Sequence, residues 1–338
     1  MPLAPFTTLG VGGPARLFCK ARTVDELLQA LDFGREKNLE VFILGGGSNL
    51  LVADSGFDGL VIQIAIRGIE NDLGSTVRYR VGAGENWDDF VKYSIENDFS
   101  GVECLSGIPG TVGGTPVQNV GAYGQEVSET IVSVDCIDRE SAELVRLSNA
   151  ECEFSYRKSI FNSFNRDKYV VCSVVFELQR SGLPKIVYKD LVEYFQDKEP
   201  SLIEVREAVL AIRRSKSMVI DRADPNSQSA GSFFKNPIVT EGVMKELEAS
   251  FGGKVPSFSA GLNLHKIPAA WLIENAGFAK GFRLGNAGIS SNHTLALINA
   301  GGATAGEIVE LMTVIQKAVY AEFSIDLQTE PHFLGFDL

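Results

Sequence analysis

The residues of this chain best placed to do chemistry lie in two glycine-rich, charge-poor stretches: GGGSN (Gly45–Asn49) and SGIPGTVGGTPVQNVGAYGQE (Ser106–Glu126). The longer one carries Gly107, Pro109, Gly110, Gly113, Gly114, Pro116, Gly121 and Gly124, a density of breakers that neither helix nor strand tolerates. Ile108, Val112, Val117 and Val120 interleave with them, so it reads as a shaped loop rather than disordered chain. Glycine removes the Cβ and admits positive φ, which lets backbone N–H groups turn inward and close on a phosphate. GGGSN follows a strand directly, where amides are free to face an anion. It is not GxGxxG leading into a helix, lacks an acidic residue about 20 positions on, and lacks GK[ST], which weakens a nicotinamide-type Rossmann reading and excludes a P-loop. Two such loops suggest a clamp around an extended dinucleotide, with the Asn49 and Asn119 amides able both to donate and to accept.

The elements that must position these loops follow from pattern. Ala15–Lys20 reads as a strand, and Thr23–Lys37 as a helix opened by a Thr23/Glu26 capping box, with Val24, Leu27, Leu28 and Leu31 as its buried stripe. Strands are expected at 41–44, running into GGGSN, and at 59–66. A second region has strands at 77–81, 131–137 and 169–178, a helix over 86–98 carrying Trp87, Phe90 and Val91, and a helix over 201–216 capped by Ser201 and Glu204. Residues 217–228 are polar and read as a linker. Beyond them come GSFFKNP (Gly231–Pro237), a helix with Pro268 in its first turn and Gly277 past its end, a strand at 295–298, and a last helix over 304–323 capped by Thr304 and Glu307.

The totals bound the function. A chain of 338 residues, 45% hydrophobic and 22% charged, has the composition of a globular protein of two or three domains. Its net charge of −12, from 31 basic and 43 acidic residues, gives no global attraction to nucleic acid or anionic membranes, so an anionic substrate must meet a local cationic patch. Cys19, Cys104, Cys136, Cys152 and Cys172 are scattered without a CxxC pair, as expected of reduced thiols in a reducing compartment. His265, His293 and His332 have no ligand spacing, so no metal site is expected. No stretch approaches the ~20 apolar residues of a membrane span, and the start MPLAPFTTLGVGG lacks a basic segment followed by an apolar run; a cytoplasmic protein is expected.

LGGGSNLLVAD (Leu44–Asp54) and IPGTVGGTPVQNVGAYGQE (Ile108–Glu126) resemble the two flavin-binding loops of the UDP-N-acetylenolpyruvoylglucosamine reductases, the MurB family. The resemblance extends in order from FTTLGVGGPA (Phe6–Ala15) to TEP (Thr329–Pro331). It implies an α+β protein: a two-subdomain FAD-binding fold of the vanillyl-alcohol oxidase type plus a third, substrate-binding α+β domain. The expected division is 1–67, then 68–217 completed by 325–338, with 218–324 as the substrate domain. The flavin contacts it implies are Gly45, Gly47, Ser48, Asn49, Gly110, Gly113, Gly114, Asn119, Gly121, Ala122 and Arg213. FAD would be the cofactor and NADPH the co-substrate. The partner would be the small molecule UDP-N-acetylglucosamine enolpyruvate, bound by a monomer without nucleic acid or membrane.

The same resemblance assigns the chemistry to three motifs. SYRKSIF (Ser155–Phe161) supplies Arg157, GSFFKNP supplies Ser232, and TEP supplies Glu330. Taken singly, such residues are usually a solvated charge, a turn residue and a terminal carboxylate; their joint order carries the assignment. NADPH would reduce the flavin, and hydride would then pass to C3 of the enolpyruvyl group, leaving charge at C2 that spreads into the carboxylate. Arg157 would meet that carboxylate with a planar, permanently charged fork. Glu330, in its acid form, would hydrogen-bond the same group, which requires burial or an anionic neighbour. Ser232 would deliver the proton to C2, a role worth roughly 10²–10⁴ in rate. Tyr188, Lys216, Asn236, Lys266 and His293 match substrate positions, Lys216 that of the diphosphate; Tyr188 marks the longer form, with an extra loop over the substrate.

Two departures stand out. Pro331-His332-Phe333-Leu334 follows TEP where the family often has an acidic, valine and arginine stretch, and Phe258 is the nearest aromatic to a tyrosine expected before HKIPAAWLIE. Two rivals remain open to the sequence. One is an FAD oxidase of the same fold acting on an alcohol or sugar, for which Cys104 is the thiol nearest a flavin loop; the other is a non-catalytic nucleotide-binding module.

Overall fold

The computed structural model describes residues 1–73, 77–196 and 198–336, so positions 337–338 of the expected C-terminal completion lie outside the described residues. The chain folds into two compact units, the first made of Met1, Ala15–Gly47 and Asp58–Val219, the second of Pro2–Pro14, Ser48–Phe57 and Ile220–Leu338.

In the first unit the strand Ala15–Ala21 leads into helix α1 (Val24–Glu36). The Thr23 hydroxyl accepts the Glu26 N–H at 3.1 Å, while the Glu26 carboxylate reaches back to Arg22 N at 2.7 Å, so the cap forms one residue wider than a standard box. Strands Ala15–Ala21, Phe57–Ile64 and Val41–Leu44 form a sheet in that order, the last two parallel, with Leu44 opposite Gln63. A larger antiparallel sheet runs Leu144–Ser148, Ile131–Asp138, Tyr169–Arg180, Val77–Gly82, Ile69–Leu73. Helix α2 (Trp87–Glu96) packs on it through Trp87 and Phe90, whose rings lie 5.9 Å and 5.0 Å from Phe176. Burying each such aromatic is worth roughly 1.5–3 kcal/mol. Helices α3 (Lys189–Phe195) and α4 (Leu202–Ser215) share a small core of Leu191, Phe195, Val205, Ala208 and Val209 with Cys104.

That packing positions the long loop. Trp87 Nε1 donates to Leu105 O at 3.0 Å, and the Asp88 carboxylate accepts Gly107 N at 2.6 Å. Arg206 on α4 holds Asp88 with both guanidinium nitrogens, at 2.7 and 2.8 Å. Burial alone would raise the Asp88 pKa; the hydrogen bonds from Arg206 and Gly107 and the charges of Arg206 and Arg213 outweigh it and hold the carboxyl below its ordinary value.

The second unit is built on helices α5 (Glu241–Phe251), α6 (Ala269–Asn275) and α7 (Ala305–Phe323) around Phe233, Phe234, Ile267, Leu272, Ile308 and Leu311. A full Thr304/Glu307 capping box opens α7. Asp54, the last residue of LGGGSNLLVAD, accepts the first two N–H groups of α7 at 2.8 and 2.9 Å, where the helix dipole favours a carboxylate. The N-terminal VGG is explained by close approach: a Cβ on Gly12 would stand 2.5 Å from that of Val52, and one on Gly13 2.2 Å from Asp54 O.

The mixed α+β class is as expected, but the division differs. Residues 325–336 lie with 220–324, not with 68–217, because His332–Leu334 pairs in parallel with Leu50–Val52 and Glu330 N bonds Phe233 O. For the same reason 2–14 and 48–57 leave the expected first subdomain.

Candidate active site

The first unit brings GGG and the long loop into contact. A Cβ on Gly46 would stand 2.6 Å from Gly110 Cα, and one on Gly45 3.0 Å from Thr111 Oγ1. Only glycine allows the two backbones to press together like this. Gly47 is buried with φ +62°, and Gly110 has φ +127°. The amides of Gly113 and Gly114 are already bonded, to Ala83 O and Thr111 O, each at 2.9 Å. Gly113 is further explained by packing, since its Cβ would meet that of Ala83 at 2.6 Å.

Asn119 is fully buried, with φ +45°. Its Nδ2 donates to Glu126 at 2.7 Å and to Ser155 O at 3.1 Å, and its Oδ1 accepts Ser128 N at 3.2 Å. The side chain thus ties the loop to SYRKSIF. Arg157, with φ +55°, completes the tie: its Nη2 donates to Gly121 O at 2.8 Å, and its guanidinium lies 5.5 Å from the Tyr156 ring centre. Gly121 and Ala122 pair with Glu126 and Gln125 in a short hairpin. Non-glycine residues held in the left-handed region cost of order 1–2 kcal/mol each, and Asn119, Tyr123 and Arg157 all stand there.

Tyr123 is the hub that the motifs alone did not announce. Its ring meets Tyr188 edge-on at 5.5 Å and carries the Lys216 ammonium 6.0 Å from its centre, and the Arg213 charge acts on its hydroxyl. Burial raises the Tyr123 pKa, against the pull of Arg213 and Lys216. Arg213, buried on the last turn of α4, donates to Met218 O at 2.7 Å, and its Nε lies 3.4 Å from where a Gly107 Cβ would stand. Burial lowers its pKa, opposed by Tyr123 and Asp88. Lys216 Nζ bonds Asp190 at 2.6 Å; burial works against the ammonium, but the Asp190 hydrogen bond and the surrounding oxygens win and raise its pKa.

In the second unit three sequence-distant motifs meet. GSFFKNP lies beside TEP: Glu330 N donates to Phe233 O at 2.9 Å, Lys235 N donates to Gln328 O at 2.9 Å, and Phe234 bridges Thr329. Ser232 and Glu330 are therefore on adjacent segments. Asn49 Nδ2 donates to Glu330 O at 3.1 Å, and Asn49 O accepts His332 N at 3.0 Å, so the end of GGGSN is fixed on TEP; Ser48 O accepts the Thr8 hydroxyl at 3.4 Å. Asn236 Oδ1 accepts Ala269 N at 2.8 Å at the start of α6. Lys266 pairs across small strands with Ile238 and with Phe258, whose side chain is exposed. His293 O accepts Ala296 N at 3.1 Å; the described contacts do not join His293 to Ser232. The residues after TEP, which depart from the expected pattern, make the strand 332–334.

The residues present fit a dinucleotide cofactor. Beyond the glycine cradle, Thr111 Oγ1, Gln63 Oε1 and Arg213 Nε are buried polar atoms without a hydrogen-bond partner among the described residues, and such groups call for an outside one. Among the described residues no His, Cys, Asp and Glu group could hold a metal ion, and no helix is long and apolar enough to cross a membrane. Cys104 is not poised to tether a flavin. It is buried, its thiol donates to Lys185 O at 3.1 Å, and burial with the Glu103 charge pushes its pKa up to about 12.

Comparisons with known proteins agree with this geometry. Residues 15–148 match an FAD-binding domain family, and 224–334 match the C-terminal domain of UDP-N-acetylenolpyruvoylglucosamine reductase. These matches make the chain a flavin-dependent oxidoreductase, with FAD as cofactor and NADPH as co-substrate. A UDP-N-acetylenolpyruvoylglucosamine reductase of Thermobifida fusca is 47% identical, covering 100% of this chain and 98% of its own, and one of Streptomyces coelicolor is 43% identical over 100% and 90%. The crystal structure of MurB from Thermus caldophilus superposes with a TM-score of 0.69 at 27% identity, covering 99% of this chain and 97% of its own. The chain belongs to the UDP-N-acetylenolpyruvoylglucosamine reductase (MurB) family.

Proposed function

We propose that this protein reduces the enolpyruvyl ether of UDP-N-acetylglucosamine to the lactyl ether of UDP-N-acetylmuramate, a step of peptidoglycan precursor synthesis, as a cytoplasmic monomer. The observation that supports the reading is the ladder that pairs Glu330 with Phe233, the neighbour of Ser232, from motifs far apart in the chain, in a family of flavin reductases. FAD, when bound, would supply the hydride chemistry that links NADPH to the enolpyruvyl carbon.

The residues do the rest. Arg157, aimed by its bond to Gly121 O, holds the substrate carboxylate and stabilises the charge that develops there. Glu330 hydrogen-bonds the same end of the substrate, on a backbone fixed by Phe233 and Asn49. Ser232, half-buried after the left-handed Gly231, hands its proton to C2. Lys216 meets the diphosphate, Tyr188 and Asn236 supply further substrate contacts, and Lys266 and His293 meet the nucleotide. Gly45, Gly47, Gly110 and Arg213 would hold the flavin, and we assign the two flavin-binding subdomains of the protein to 15–47 with 58–67 and to 68–217.

An oxidase of the same fold is the poorer reading, since Cys104 is buried and protonated and the three histidines lie outside both flavin loops. Supplying the purified holoenzyme with NADPH and the enolpyruvyl nucleotide tests the choice. The proposal requires NADPH consumption that depends on the nucleotide and a product two hydrogens heavier by mass spectrometry. Consumption that depends on O₂ and leaves the nucleotide unchanged would establish the oxidase.

A further inference from the structure

The Tyr188 segment does not float above the first unit. It is seated on the end of the long glycine loop: a Cβ on Gly124 would stand 2.6 Å from Val187 Cγ2, and the Tyr188 ring rests edge-on against Tyr123. Its outward side is mixed, with Val187, Tyr188 and Val192 exposed beside the Lys189–Glu193 ion pair. One polar tie fastens it to α4, the 2.6 Å bond from Lys216 Nζ to Asp190 Oδ2, with the two side chains 36% and 33% exposed. Asp190 lies in the first turn of α3, two residues after Tyr188. The ammonium that the proposed function gives to an anionic diphosphate is therefore already occupied by a carboxylate of the segment that carries Tyr188.

We propose that Asp190 is a displaceable counter-ion: it holds Lys216 until the substrate diphosphate takes the ammonium, and its release frees Tyr188 and the first turn of α3 to settle on the ligand. This rests on the reading of Lys216 as the diphosphate contact. Two anions beside one ammonium repel, so part of the substrate's binding energy goes into parting the pair. A pair about one-third exposed is easy to part, being worth little next to a doubly charged diphosphate. Asp190 is then a positioning residue whose carboxylate lowers affinity for diphosphates while ordering Tyr188 in their absence.

Binding of UDP and of uridine to the FAD-loaded holoenzyme, measured by the perturbation of the flavin spectrum, separates the possibilities. Asp190→Asn should bind UDP about two- to fivefold more tightly, the span of an exposed ion pair, with uridine unchanged. Asp190→Glu keeps the pair and should behave as the native protein. Weaker or unaltered UDP binding in Asp190→Asn, or equal tightening for uridine, overturns the proposal. Lys216→Met tests the underlying reading separately: it should weaken UDP and erase the gain from Asp190→Asn in the double variant. If Lys216→Met leaves UDP binding intact, the diphosphate assignment of Lys216 fails; if it weakens UDP while Asp190→Asn tightens nothing, only the counter-ion role fails.

Discussion

In the first unit Asn119, Tyr123 and Arg157 stand at left-handed backbone, and the Asn119 and Arg157 side chains are bonded back onto the glycine loop they serve. In the second unit Ser232 and Glu330 are aligned by backbone ladders, and the Ser232 hydroxyl bonds none of the described residues. The first arrangement builds a rigid surface: removing a side chain there disturbs the loop as well as the chemistry. The second presents the Ser232 hydroxyl on a frame that does not depend on it. Substitutions in the first unit should therefore couple cofactor retention, stability and turnover, whereas those in the second should separate them.

The largest effect is expected where they separate. Ser232→Ala should slow transfer to the enolpyruvyl substrate by roughly 10²–10⁴, while flavin reduction by NADPH and the unfolding midpoint stay native; normal turnover would remove Ser232 from the proton step. Arg157→Lys comes next. A lysine cannot reproduce the fork, so turnover should fall roughly 10²–10³, here with weaker FAD retention because the bond to Gly121 O is lost. Unchanged FAD affinity would break the contrast between the units. Asn119→Ala strips three hydrogen bonds from a buried site and should cost about 1–3 kcal/mol, read as a lower urea midpoint.

The smallest effect is a pH dependence. The Asp88 pKa is lowered in the folded protein, so its contribution is fully present above the unfolded value of about 3.9 and is lost as pH falls through the folded value. Urea midpoints taken between neutrality and acid should fall less steeply for Asp88→Asn than for the native chain. An identical acid limb would show that Asp88 does not hold Gly107.

Much of this was legible in the sequence, for physical reasons. Capping signals at Thr23, Ser201 and Thr304 placed three helices to within a residue or so, because the caps are local hydrogen bonds. The strand running into GGG was legible from its apolar run and the glycines after it. The strands Ile69–Leu73 and Leu144–Ser148 were not: IENDL and LVRLS carry little apolar pattern and are strands because a neighbour pairs with them. Nor was Tyr123, whose importance comes from what surrounds it in space: Tyr188, Lys216 and Arg213 are all far along the chain. Nor was the place of 325–336 legible, because a three-residue parallel pairing with Leu50–Val52 leaves no periodic trace. Glycine-rich loops announce that backbone approaches something closely; which glycine meets the ligand and which meets Ala83 only packing decides.

The central claim is that reducing equivalents pass from NADPH through bound FAD to the enolpyruvyl nucleotide. Anaerobic stopped-flow on the holoenzyme tests it most directly, mixing first with NADPH and then with the nucleotide while following the blue absorption band of the oxidised flavin. The band should bleach with NADPH and return in full when the nucleotide is added without O₂. A flavin that stays bleached until O₂ is admitted would contradict it.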